Sequence, residues 1–363
     1  MNYPLLTASL LILAGAAAGE RRCVLQDSYD LSPKPTAGEA WHREFQAKHL
    51  LGLDSLTRQV GNGAPERIQT RTRLSAENRL RFADRVSAVA NGRIQTFQRE
   101  ILESQVVASQ DHLVEGAPLN EVTLKGGIAG LRAVYTWVES EQDYGRYYDG
   151  PEARESWLAS LPADLPGEVL LPPGPVVLDQ SWAIDPLKLR SVLAPGGAPQ
   201  YQGVKGMERV LTRTLQMGVG GSLYHGIRGR VSGEASARLV AIQEVEGRRV
   251  AQVELSVEGV RLLSDITEFS RENKLKREQD GGVDSTSGKQ LVELTGSGTL
   301  LWDLDAGRMV SFKFGGREAF RTEIHVVGTG DTYTETVQLS GRVEILYTSA
   351  PLKEKASRPT VDR

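Results

Sequence analysis

Polar and apolar residues alternate with period two over most of the chain. Ile68, Thr70, Thr72 and Leu74 fall on one parity and Arg67, Gln69, Arg71 and Arg73 on the other. Leu80, Phe82, Val86 and Ala88 continue it against Arg79, Arg81 and Arg85. Such alternation predicts strands with one buried and one wet face, as in antiparallel sheet. Asn91-Gly92 is a hairpin turn that brings residues 93–103 back beside the first strand. Residues 237–245 turn at Glu246-Gly247 into Ala251, Val253, Leu255 and Val257, again alternating with polar neighbours.

The C-terminal pattern predicts a four-strand meander. Val292, Leu294, Leu300, Trp302 and Leu304 share a face, then Val310, Phe312 and Phe314, then Phe320, Ile324 and Val326, then Tyr333, Val337, Leu339, Val343, Ile345 and Tyr347. Turns are expected at Asp305-Ala306-Gly307, Gly315-Gly316 and 328–331. Residues 271–288 read as a long loop. Helices are few: Asp185-Pro186 starts one over 187–193, Pro151 starts another, and Met207, Val210, Leu211 and Thr214 fit a third. Five prolines in 161–175 mark a junction between two β-rich halves.

The predicted fold is mainly β, a β-rich α+β chain of antiparallel meanders. Its two related or packed halves form a sandwich or half-open barrel with few short helices. The expected divisions are a signal peptide at 1–18, an N-terminal β half at 19–165, a Pro-rich junction with a short helix at 166–200, a C-terminal β half at 201–348, and a disordered tail at 349–363.

The signal peptide rests on the uncharged stretch from Asn2 to Gly19, with its small-x-small site Ala16-Ala17-Ala18 before Glu20-Arg21-Arg22. An uncleaved N-terminal anchor is the alternative. Export to the periplasm, cell envelope or exterior follows, with no transmembrane span in the mature chain. Cys23 is the single cysteine, so no intrachain disulfide is possible, and the charged residues before it do not suit a lipid anchor. The 363 residues carry 43 Lys+Arg against 46 Asp+Glu, a balance that gives no global attraction to nucleic acid.

The chain shows no signature of catalysis, of a cofactor or of a metal. None of His42, His49, His112, His225 and His325 has a helical zinc spacing or a Cys/His cluster around it. There is no Gly-x-Ser-x-Gly elbow and no complete phosphate-binding glycine loop. Asp280-Gly281-Gly282 with Asp284 lacks the ligand alternation of a calcium loop.

Two surface candidates remain. Arg67, Arg71, Arg73, Arg79, Arg81 and Arg85 make an expected face for an anionic partner, or a solvated face balanced by acids such as Glu100 and Glu103. Trp302, Phe312, Phe314 and Phe320 make an expected apolar groove on a curved sheet. Tyr144, Tyr147 and Tyr148 near Trp137 and Trp157 form an aromatic cluster that serves either sugar stacking or packing.

Three segments together resemble an uncharacterised family of exported, β-rich bacterial proteins. They are Ala37-Gly38-Glu39-Ala40-Trp41, then Leu170-Leu171-Pro172 with Asp179-Gln180-Ser181-Trp182, then Gly298-Thr299-Leu300-Leu301-Trp302-Asp303 followed by Gly307-Arg308. The resemblance implies a β-rich exported body and carries no activity or site residues. The expected function is non-enzymatic binding of a lipid or apolar small molecule. The alternatives are an envelope component that binds protein partners and a hydrolase with a dispersed site.

Overall fold

The computed structural model describes residues 27–69, 72–112, 120–149, 163, 167–193, 195, 201–202, 230–265, 283–328 and 332–352. Its strands are β1 (Ser28–Tyr29), β2 (Ala40–Val60), β3 (Glu66–Arg67), β4 (Thr72–Ala90), β5 (Arg93–His112), β6 (Asn120–Gly126), β7 (Arg132–Val138) and β8 (Asp143–Tyr148). They continue with β9 (Val176–Val177), β10 (Ser181–Ala183), β11 (Tyr201–Gln202), β12 (Val231–Val245), β13 (Arg248–Asp265), β14 (Val283–Asp303), β15 (Arg308–Gly328) and β16 (Thr332–Pro351).

The chain is mainly β and antiparallel. One sheet follows the order β10-β12-β13-β14-β15-β16-β2-β4-β5-β6-β11, with β3 beside β2 and the β7–β8 hairpin branching from β5. The two halves read from the sequence are therefore one sheet. The last strand, β16, pairs with the first long one, β2, from Tyr333 opposite Val60 to Pro351 opposite Trp41.

The hairpins form for the reasons the sequence offers. Asn91-Gly92 and Glu246-Gly247 both take positive φ, which matches the right-handed twist of the strands they join. Gly315-Gly316 is different. The sequence predicts a turn there, yet both residues are extended within β15, opposite Ser297 and Gly296. Neither has the positive φ that a two-residue turn requires, and the meander has three long strands, not four.

Glycines instead mark the middle of the sheet. Gly296 faces Gly316 across β14–β15, Gly341 faces Glu318 on β15 and Leu51 on β2, and Gly52 follows at the same level. On the other side Gly233 and Gly259 sit at a register shift between β12 and β13. Glycine in a strand interior marks a bend or a close approach. Here a line of them crosses the adjacent long strands from β12 to β2.

Inward parity is predominantly apolar. Phe45, Leu80, Ile101, Leu239, Val253, Leu300, Phe312, Val343 and Tyr347 belong to one buried cluster spanning the sheet from β5 to β12. Leu31, Ile128, Leu170 and Ile184 from the connections and Val176 of β9 join it. So do Leu189, Val192 and Leu193 of the 186–193 segment, which forms a 3-10 turn and a single helical turn where the capped helix was expected. A smaller cluster of Trp41, Val86, Ile94, Phe97, Ala133, Tyr135 and Ala163 lies under the β7–β8 hairpin. The helices expected after Pro151 and around Met207 lie outside the described residues. No helix among the described residues is long and apolar enough to cross a membrane.

Candidate functional site

Two features of the sheet differ from a plain packed face: an open trough outside it and a small polar cavity at one end of its core. The trough has a volume of about 1000 Å³ and crosses the strands at right angles. In register across it run Gln46, Leu346, Lys313, Thr299, Glu254, Arg238 and Ser181, and beside them Lys48, Glu344, Gly315, Ser297, Ser256 and Ser236. All sit on outward parity. The trough's small outward members are Ser181, Ser236, Ser256, Ser297, Thr299 and Gly315, and Gly298 with Ala237, Leu255, Phe314 and Ile345 of the inward parity also border it. Charges of both signs line it; Arg238 pairs with Glu254 at 3.0 Å.

The small cavity, about 30 Å³, lies among Pro33, Pro35, Trp41, Arg43, Glu168, Trp302, Arg308 and Met309. Its electrostatics begin with Asp84, which is wholly buried. Arg99 binds it in a fork, Nε to Oδ1 at 2.8 Å and Nη2 to Oδ2 at 3.0 Å. Arg43 Nη1 stands 3.1 Å from Oδ2, close enough for an ion pair but not aligned as a hydrogen bond. Burial works against the Asp84 charge, yet Arg99 and Arg43 hold its carboxyl below the usual carboxylate range. Arg99 lies over Phe82, Phe97 and Tyr135, with its guanidinium carbon 4.8, 5.5 and 5.5 Å from the ring centroids.

Glu168 enters from the 3-10 turn Glu168–Leu170. Gly167 precedes it at φ +96, and a Cβ there would meet Met309 Cβ at 3.1 Å and the Trp302 ring at 3.3 Å. Glycine thus lets the turn approach the β14–β15 hairpin and set Glu168 at the cavity. Burial pushes the Glu168 carboxyl up to about 7, against the pull of Arg43 and Arg93.

A pH dependence follows. Between the ordinary glutamate value of 4.5 and about 7, the folded chain holds a proton that the unfolded chain releases. Stability therefore falls as pH rises through that window. Denaturation midpoints measured across it are expected to lose that slope in Glu168→Gln; an unchanged slope places the proton elsewhere.

The structure divides the predicted arginine face. Arg73, Arg79, Arg81 and Arg85 are exposed along outward β4, while Arg67 sits apart on β3, donating to the Asp54 carbonyl at 3.3 Å. Arg79 pairs with Glu77, and Arg81 with Glu103 at 3.4 Å, the acid partner the sequence suggests. Arg71 lies outside the described residues.

Trp302, Phe312, Phe314 and Phe320 come together on the inward face, and each is buried in the main core. Tyr144 and Tyr148 pack on the smaller core, where Tyr144 donates to the Ile94 carbonyl at 2.8 Å and meets Trp137 edge-on, while Tyr147 is exposed. His325 is exposed, and His49 is buried, 2.7 Å from Glu318. Trp157, His225 and the Cys23 region lie outside the described residues. Among the described residues no three His, Cys, Asp or Glu gather as metal ligands.

No family model and no curated protein matches this chain. Among solved structures it is similar to one titled "Lipid-protein interactions in lipovitellin", at 9% identity and a TM-score of 0.25. The match covers 89% of this chain and 27% of that one, so the chain spans about a quarter of its length. A likeness of that degree carries no argument about the site.

Motif and spacing signals miss the buried ions. Asp84 shares the parity of Leu80, Phe82 and Val86, Arg99 that of Phe97 and Ile101, and Arg43 that of Trp41 and Phe45. Three charges on apolar parity are the signal that would have found them.

Proposed function

We propose that the chain is an exported, non-enzymatic binding protein of the cell envelope whose partner lays an extended polypeptide segment in the transverse trough. The trough itself carries this reading: a concavity of about 1000 Å³ on the polar face of a sheet otherwise built for packing. A run of hydroxyls meets a peptide's backbone amides and carbonyls, and charges of both signs suit a mixed-charge chain better than a polyanion. The inner apolar face is committed to the core, which leaves the polar face for partners. Export rests on the apolar N-terminal stretch and its small-residue cleavage site.

A photo-crosslinking residue at Ser297, on the trough floor, is expected to capture one discrete envelope polypeptide, while the same residue at Arg73 on β4 captures none. Equal capture at both positions, or none at Ser297, overturns the trough reading.

One observation favours a second reading, a lipid or apolar small molecule. Trp302, Phe312, Phe314 and Phe320 belong to one buried apolar cluster on adjacent strands, and an apolar guest entering the core would meet them. Comparing native and denatured masses of detergent-free protein decides this. A stoichiometric excess removed by organic extraction supports it, and a bare mass rejects it.

A further inference from the structure

We propose that the trough recognises charge order: it takes an extended segment with acidic side chains over β15–β16 and basic side chains over β12–β13, about four residues apart. Such selection presupposes the polypeptide reading above and specifies the chemistry of that polypeptide. One wall of the trough is the next outward row of side chains, Arg342, Arg317, Thr295, Glu258 and Glu234, running from β16 to β12. The Gly259 N–H donates to Thr295 Oγ1 at 3.2 Å, where the irregularity in β13 sets Glu258 alongside. All five side chains are exposed.

The row is polarised. Arg342 and Arg317 stand directly opposite each other at one end, and Glu234 and Glu258 directly opposite each other at the other. Like charges so placed on an antiparallel pair destabilise it, so the sheet gains nothing from either pair. Each pair suits a counter-charge laid across both strands, which is the direction of the trough. Between them β14 offers only the hydroxyls of Thr295, Ser297 and Thr299. From the midline of β15–β16 to that of β12–β13 is three strand spacings, about 14 Å, which an extended chain covers in about four residues.

Neighbouring charges do not cancel this polarity. At the positive end Glu344 stands opposite Lys48, diagonal to Lys313 and Arg317, and two residues from Arg342, one carboxylate among four cations. Lys48 has a second acid in Glu77 at 3.9 Å, which Arg79 shares. Glu293 is bound by Arg261 at 2.7 Å, and Asp54 accepts from Ser340 at 3.0 Å. At the negative end Arg238 is taken by Glu254 at 3.0 Å, and Arg230 lies farther along, at the level of Leu263. Glu258 accepts from Ser256 at 3.5 Å, a neutral donor. Among the described residues Lys313, Arg317, Arg342, Glu234 and Glu258 form no ion pair.

The probes are two labelled, end-blocked peptides of identical composition and zero net charge in a serine background. One carries Glu-Glu-Ser-Ser-Lys-Lys and the other Ser-Glu-Lys-Glu-Lys-Ser. Fluorescence polarisation with the full chain at low salt is expected to show the first binding about tenfold tighter, the discrimination that a few exposed ion pairs supply together. Added salt is expected to shrink the difference. Arg317→Gln combined with Arg342→Gln is expected to erase it while leaving the denaturation midpoint unchanged or raised, because a like-charge pair is removed. Arg73→Gln on β4 is expected to change neither. Equal affinities, a preference that survives the double substitution, or no binding of either peptide overturns the proposal. Discrete capture at Ser297 alongside any of these results leaves the polypeptide reading in place without its charge order, and absence of capture removes both.

Discussion

Asp84→Ala is expected to destabilise the chain by about 3–5 kcal/mol, the cost of removing one partner from a buried ion pair. The loss is not that of one contact. Asp84 compensates two guanidiniums, and its removal strips Arg99, 1% exposed, of the carboxylate that neutralises it. Arg99 also donates to the Ala163 carbonyl at 3.4 Å, a neutral acceptor and a weaker partner than the Asp84 carboxylate. Burial alone would lower the Arg99 pKa, and the Coulombic pull and hydrogen bonds of Asp84 are what raise it.

The sign of the pH effect is fixed by the Asp84 carboxyl, which is held below its ordinary value in the folded state. Its stabilisation is present above the ordinary aspartate pKa and is lost as pH falls toward the lowered one. Arg99→Met in the same background is expected to recover part of the loss. It removes the buried charge that Asp84 had compensated and still fills the slot between Phe82, Phe97 and Tyr135. Urea denaturation of the single and double variants measures this. An Asp84→Ala loss under about 1 kcal/mol, the level of an exposed pair, would mean that water reaches the trio.

How far the sequence speaks depends on what each signal encodes. Alternation encodes which face is buried, so strands such as β13, with Ala251, Val253, Leu255 and Val257 inward, are legible residue by residue. It does not encode which strand lies beside which. Nothing local to Thr336 or Thr57 announces that β16 pairs with β2; that pairing joins residues nearly a whole chain apart. Gly315-Gly316 misleads for a related reason. A glycine pair serves a turn or a close strand approach equally well, and only the neighbour, here Gly296, decides between them.

The site divides the same way. The arginines of β4 are visible as a row because they follow the alternation. The cavity is not visible, because its walls come from six places: the Pro33 segment, β2, β5 at Ile94, the turn at Glu168, the β14–β15 hairpin and β16 at Ser349. Even so, Asp84, Arg43 and Arg99 break the binary pattern on the buried side, and charges so placed require partners from one another.

Gly341→Ala is expected to cost on the order of 2–6 kcal/mol, because it strikes the seam where the two ends of the chain meet. A Cβ at this position would collide with the Leu50 carbonyl oxygen and stand 2.8 Å from its carbon and 2.9 Å from Leu51 Cα. These are backbone atoms of the paired strand, so no rotamer change relieves them and β16 must move away from β2. The same level of the sheet carries a second dependency. His49 on β2 and Glu318 on β15 meet at 2.7 Å across β16, where the intervening inward residue is Gly341 itself. Separation of β16 and β2 would break a fully buried hydrogen bond, which accounts for the upper part of the range.

Gly315→Ala provides the contrast. Its Cβ would have nothing within 4 Å, and its backbone is already extended, so this change is expected to be neutral or slightly stabilising. Because the trough crosses the same seam at Gln46–Leu346 and Lys48–Glu344, Gly341→Ala is also expected to weaken crosslinking from Ser297. Equal denaturation midpoints for the two glycine variants would show that the β16–β2 register is not the tight one described, and the continuity of the sheet across that seam would fall with it.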